Sequence, residues 1–258
     1  MNNKELYKHL DNVTENNYKK INDIINNSRF TYKKELLKQL SKKLKFDIES
    51  KYTKKIAKNI FSSIDELNII MYNDISRYYY NEGIKLVKKI VDNEVNDIYN
   101  ENNVEDYLLT FIHGKGLDYN YKDEMIKRES YFDDRMTNVM LGVIANKLVG
   151  KEIKKSIASS VNNAFNMYDI QIKQMLNAQK RGIANVIDNT GTFIAIKSMQ
   201  QAYKDNNIQK FIRHAEIDDR TCSYCQSVDM KVYNHESEID IPSHISCRCW
   251  YEPLKTND

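Results

Sequence analysis

The sequence predicts a mainly α fold, with long antiparallel helices followed by a small C-terminal α+β module. Three observations predict it. The 258 residues include only 7 Gly and 2 Pro, and both prolines (Pro242, Pro253) stand near the C-terminal end. A chain so poor in breakers runs long helices and lacks the turn residues of a serial-turn β architecture. Apolar residues recur at spacings of three and four over most of the first 205 positions, the period of amphipathic helices. All four cysteines fall within residues 222–249, where that spacing gives way to short alternating stretches.

The elements follow in order. Residues 3–27 carry Leu6, Leu10, Val13, Ile21 and Ile24 on one seam, with a polar gap at Asn17. A second helix is expected over 30–60, with Leu37, Leu40, Leu44, Ile56 and Ile60 inward and lysines outward. Ser62-Ser63 before Asp65-Glu66 reads as a cap followed by acids in a first turn, opening a third helix over 64–100 through Leu67, Ile70, Met71, Ile75 and Tyr78–Tyr80. Gly83 is a candidate kink. His113-Gly-Lys-Gly116 carries too few glycines for a phosphate-cradling motif, so 113–121 reads as a linker and His113 as a loop residue. Helices are expected again over 122–148, from Gly150 to about 180, and over 182–205. Alternation at Phe211, Arg213, Ala215 and Ile217 predicts a short strand leading into the cysteines. The chain thus divides into an N-terminal helical region (1–112), a linker (113–121), a second helical region (122–210) and a Cys/His module (211–258).

Net charge is +3, too small to point to nucleic acid by itself. Its distribution is uneven. Residues 29–58 hold 11 Lys/Arg against 3 acids, and residues 90–106 hold 6 acids and no base. Solvated helix faces explain such runs, and a docking surface for DNA or an acidic partner is the sharper reading. Its candidate contacts are Lys33, Lys34, Lys38, Lys42, Lys43, Lys45, Lys54 and Lys55. No apolar run reaches the roughly 18 residues of a membrane helix. Met-Asn-Asn-Lys-Glu at the start has no apolar signal core, so the cysteines are expected to be reduced, which favours a metal over two disulfides.

Cys222-Ser-Tyr-Cys225 and His244-Ile-Ser-Cys247-Arg-Cys249 offer five donors for four positions. Two donors three apart pinch an ion from one turn, and thiolate with imidazole on two such turns makes the tetrahedral site that zinc favours. Cys222 and Cys225 form the firm half. His244 with Cys247 has the commoner spacing. On an extended strand Cys247 and Cys249 would face opposite ways, which argues against both holding one ion and leaves the choice between them open. The expected role is a structural zinc that staples the module.

Asp218-Asp-Arg-Thr-Cys222-x-x-Cys225, followed by Pro242-x-His244-x-x-Cys247-Arg-Cys249, resembles the C-terminal signature of tailed-phage head-morphogenesis proteins. These are the Mu F-like minor head family, with relatives in Bacillus siphophages. The resemblance spans roughly residues 125–253 and is specific over 218–250. Asp229-Met230-Lys231 stands where the family usually has Asp-Gly-Lys, and Phe211 and Arg213 stand where it often has Trp. The resemblance implies a non-enzymatic minor capsid protein inside or beneath the shell near the portal. It also implies a role in procapsid assembly, DNA packaging or DNA ejection. The partners it implies are portal, capsid or scaffolding protein, with non-specific contact to packaged DNA. The protein would be oligomeric in the particle and would reside in the virion, passing through the host cytoplasm during assembly.

Two alternatives share the cysteine pattern. An HNH-like zinc/magnesium nuclease would use His235 or His244 as general base, with Asp218, Asp219 or Asp240 holding a second metal. A zinc-ribbon DNA-binding protein would need a basic reading face, and the module carries few basic residues, such as Lys231 and Arg248. His9 and His214 read as a helix-surface residue and a strand residue.

Overall fold

The computed structural model describes residues 3–41, 50–91, 94–110, 112–114, 117–152, 157–219, 221–234 and 243–255. Four long helices dominate: α1 (Asn3–Ser41), α2 (Ser50–Val87), α4 (Tyr121–Glu152) and α5 (Ile157–Asp205), of 39, 38, 32 and 49 residues. Between them lie the short helix α3 (Asn103–Leu109) and a hairpin of β1 (Ile112–Gly114) and β2 (Leu117–Tyr119). The C-terminal part contributes β3 (Lys210–His214), α6 (Ser223–Val228), β4 (Val232–Asn234) and β5 (Trp250–Pro253). Its sheet is antiparallel in the order β4-β3-β5. No described helix is long and apolar enough to cross a membrane.

Several helix boundaries differ from those expected, for local reasons. Residues 28–30 do not break α1, because Ser28 Oγ donates to Ile25 O (2.6 Å) and the seam runs on through buried Ile21, Ile25, Ser28 and Tyr32. The expected helix over 30–60 is therefore shared between α1 and α2, with residues 42–49 outside the described set. Ser62-Ser63 is not a cap. Ser63 Oγ bonds back to Asn59 O inside α2, a satisfaction a hydroxyl finds within a helix. Gly83 neither kinks nor ends α2, which stops at Val87 instead of running to 100. Gly150 lies inside α4, and Gly182 lies inside α5, which joins the two helices expected from 150 to 205.

The chain packs as two compact units. Unit 1 comprises Met1–Asn17, Asn68–Asp123 and Val186–Asp258, and unit 2 comprises Tyr18–Leu67 and Glu124–Asn185. These interleave along the sequence instead of following one another as divisions after 112, 121 and 210 would.

In unit 1, α1 and α2 run antiparallel. Tyr79 Oη donates to Leu6 O (2.6 Å), His9 meets Asp74 (3.2 Å), and Asn17 Nδ2 donates to Asn68 Oδ1 (2.7 Å). Asn17, the gap in the apolar seam, is thus a buried rung, and Asn68 passes the chain of bonds on to Tyr121 Oη (3.0 Å). Gly83 lets α2 approach α5 closely, since a Cβ there would lie 2.9 Å from Ala202 Cβ and 3.0 Å from Met199 O. The segment expected to be a linker is part of this core. His113 and Gly114 pair with Asp118 and Leu117, and buried Tyr119 donates from its hydroxyl to Val186 O (3.3 Å).

In unit 2, Phe132 packs between Tyr32 and Phe61, and Thr137 donates to Thr53 Oγ1 (2.9 Å). Gly182 leaves room for the Arg128 guanidinium, which a Cβ would meet at 2.6 Å. Among the basic candidates, Lys34, Lys38, Lys54 and Lys55 are exposed and Lys33 is half-buried. Lys38 pairs with Glu35 (3.8 Å) and lies 5.4 Å from the Tyr52 ring. Lys42, Lys43 and Lys45 lie outside the described residues.

Candidate metal centre

The C-terminal strands of unit 1 build a frame on which two turns meet. β3 is central, with Ile212 opposite Val232 on one side and Glu252 on the other. Trp250 and Tyr251 on β5 are buried, and Tyr251 O accepts from Tyr203 Oη of α5 (2.9 Å). This fixes the sheet to the helices. The histidine expected as a strand residue, His214, stacks on Trp250 and meets Glu252 at 2.8 Å.

The first turn is shaped by Asp218 and Thr221, with Asp218 N donating to Thr221 Oγ1 (2.8 Å). It delivers Cys222 to the N-cap of α6, where Sγ accepts the Cys225 N–H (3.4 Å). The helical turn then carries Cys225 inward to the same side. The second turn closes where Cys247 N donates to His244 O (3.1 Å), and Ser246 takes a left-handed φ of 62°. Ser246 N donates to Asn189 Oδ1 on α5 (2.7 Å), and Tyr7 Oη donates to Cys249 O (3.0 Å).

Five donors meet there. His244 Nε2 lies 3.2 Å from Cys222 Sγ and 3.1 Å from Cys225 Sγ, and Cys225 Sγ lies 3.9 Å from Cys247 Sγ. Two groups result, Cys222–Cys225–His244 and Cys225–Cys247–Cys249, each with all donor atoms within 4.8 Å. Bond lengths of ~2.3 Å for Zn–S and ~2.0 Å for Zn–N imply donor separations of about 3.5–3.8 Å around a tetrahedron, a range that the contacts of 3.1, 3.2 and 3.9 Å bracket. His244 Nδ1 donates to Ile245 O (2.8 Å), which leaves the Nε2 lone pair toward the sulfurs. All four cysteines are free thiols and not disulfides. The cluster can hold a metal ion.

One expectation is corrected. Cys247 and Cys249 do not face opposite ways. Residues 247–249 precede β5 and are not an extended strand, so both side chains turn inward and both are 2% exposed.

The packed thiols shift one another's protonation. Contact with Cys225 pulls the Cys247 thiol down and holds that of Cys225 up. Cys225 also pulls Cys249 down, but Cys247 and burial outweigh it and raise that thiol. Burial raises Cys222, yet the Cys225 N–H, the Cys225 thiol and His244 together bring it below its ordinary value. A divalent ion held here would replace these contacts with direct bonds, since each ligating thiol gives up its proton on binding.

The outer side of the centre opens on a cavity of about 620 Å³ lined by Cys222, His244, Glu216, Asp218, Asp188 and Arg248, among others. Arg248 pairs with Asp11 (2.9 Å) and stacks over the Tyr7 ring. His235, Asp240 and Pro242 lie outside the described residues, and Asp219 is not in either donor group. Sequence reasoning passed over Asn189, Tyr7 and Arg213, which brace or flank the centre. Arg213 alone left a signal, as a charge on the apolar side of an alternating strand. Comparison with protein-family models, with curated proteins and with solved structures finds no match.

Proposed function

We propose that this chain is a minor head protein of a tailed phage, a structural component near the portal whose C-terminal segment is held by zinc. The observation that carries the reading is the meeting of Cys222, Cys225 and His244 within 3.1–3.2 Å contacts beside Cys247. These are the residues on which the resemblance to the head-morphogenesis family rests. Cys222, Cys225, His244 and Cys247 are the four ligands we favour, because His244 bridges the first cysteine pair and Cys247 adjoins Cys225. Zinc is favoured over harder ions by three sulfurs and an imidazole. When bound, it serves as a cross-link between the two turns. Structural zinc contributes about 10–16 kcal/mol of apparent binding free energy in small peptides, enough to order segments with so few strand residues of their own. The exposed lysines of α1 and α2 suit weak contacts to densely packed DNA.

The test has two arms. Purified protein should contain one zinc per chain by elemental analysis. Antibody against the chain should detect it at low copy in gradient-purified particles of the phage that encodes it. Its absence from particles would overturn the head role.

The cavity beside Cys222 and His244, with Glu216 and Asp218 on its wall, favours one second reading, a metal-dependent nuclease. His244 is already turned to the sulfurs, so His235 would have to act as base. Magnesium-dependent plasmid nicking abolished by His235→Ala would establish that reading over the first.

A further inference from the structure

The alternation that brings β3 into the core places Phe211 and Arg213 on its buried face. Phe211 packs on the Tyr251 ring, as an apolar residue there should. Arg213 is also 0% exposed. Its backbone is fully used, with Arg213 N donating to Lys231 O (3.0 Å) and Arg213 O accepting from Met230 N (2.8 Å). Its guanidinium is not. Nη2 donates to Ser243 Oγ (2.6 Å) and lies 4.0 Å from Cys225 Sγ, while Nε and Nη1 have no hydrogen-bond partner among the described residues. No described carboxylate pairs with it.

A fully buried cation without a counter-charge is strongly unfavourable. Among the described residues, the groups near its guanidinium that can carry negative charge include the thiol of Cys225. Cys225 Sγ, 4.0 Å from Nη2, is one of the proposed ligands. Ser243, which Arg213 holds, immediately precedes His244, so the same side chain also touches the second ligand turn.

Charge counting gives the partner. Three thiolates and a neutral imidazole around a divalent ion leave a net charge of −1. We propose that Arg213 is the built-in counter-cation of the metal centre, a positioning residue that neutralises its excess thiolate charge and tethers the His244 turn through Ser243. The proposal rests on the metal reading above. It adds that the site is matched to a dication bound by three thiolates, because a neutral two-thiolate, two-imidazole site would leave Arg213 uncompensated.

The test uses the full chain and zinc or cobalt alone. Arg213→Met keeps the length and removes the charge, whereas Arg213→Lys keeps the charge and loses the fork. Zinc affinity is measured by competition with a chromophoric chelator, and the ligand set by the sulfur-to-cobalt charge-transfer band. Partners beyond a metal's own ligands are worth about 10–100-fold in affinity. Arg213→Met should therefore weaken zinc by that factor while the cobalt band keeps its thiolate intensity. Arg213→Lys should recover part of the loss. Equal loss in both variants, or no loss in Arg213→Met, would overturn the charge role. Thermal melts with and without chelator guard against a simple folding defect. The deficit of Arg213→Met should shrink when zinc is removed, and a deficit unchanged by chelation would reject the proposal. If the wild-type chain itself takes up neither ion, it is the metal reading that fails.

Discussion

Cys225 belongs to both donor groups, and that sharing separates it from the other cysteines. Its replacement removes a sulfur from either way of completing the site, whereas Cys249 belongs only to the inner group. Cys225→Ser should abolish stoichiometric zinc, and Cys249→Ser should retain about one zinc per chain, read by elemental analysis after dialysis. Equal zinc contents in the two variants would refute the assignment of Cys247 as fourth ligand. The residue types and spacing made the five donors legible in the sequence. The direction of Cys249 was not legible, because it depends on a left-handed Ser246 and a stretch that becomes a strand only at Trp250. Neither feature has a glycine to announce it. Arg213 was visible as part of the alternation, but nothing local says that its face of β3 is turned to thiols.

Among elements, the contact of α2 with α5 in unit 1 yields the clearest contrast. Alanine is the better helix former than glycine by about 1 kcal/mol. At Gly83 that gain meets Met199 O, a backbone atom 3.0 Å from the new Cβ. Overpacking of this kind costs about 1–3 kcal/mol, so Gly83→Ala should lower the denaturation midpoint. At Gly142, where a Cβ meets nothing within 4 Å, the same change should leave stability equal or up to about 1 kcal/mol higher. Opposite signs in urea melts would support the close approach, and a stabilising Gly83→Ala would refute it. The helical character of α1, α2, α4 and α5 was legible because apolar period and lack of proline agree. Their ends were not. Ser63 looks like a cap in sequence and bonds backward inside α2 instead, and the division expected near 180–182 falls where Gly182, inside α5, makes room for Arg128. Helix α6 was missed because six residues are too few to show a period.

At the scale of the molecule, tyrosine couples the fold to alkaline pH. Burial pushes the hydroxyls of Tyr7, Tyr79 and Tyr203 above their ordinary value. A raised value means that the stability they lend is fully present below about pH 10, the unfolded value, and is lost as pH climbs beyond it. Beyond the smooth ionisation of exposed tyrosines, the part of the tyrosinate absorbance due to buried hydroxyls should therefore rise together with loss of helical circular dichroism in one cooperative step above pH 10. Smooth ionisation of all the tyrosines near 10 with the helices intact would contradict this burial. The division into units was hidden from the sequence, since its boundaries fall inside continuous helices and carry no linker composition. That interleaving has a consequence for biosynthesis. Every residue of unit 2 has been made once Asn185 leaves the ribosome. Unit 1 waits for its last strand, because Tyr7 must reach Cys249, 242 positions away. Domains fold as their residues become available, so the first turns of α1 are made before unit 2 and packed after it. The two donor groups can come together only once both turns have been made.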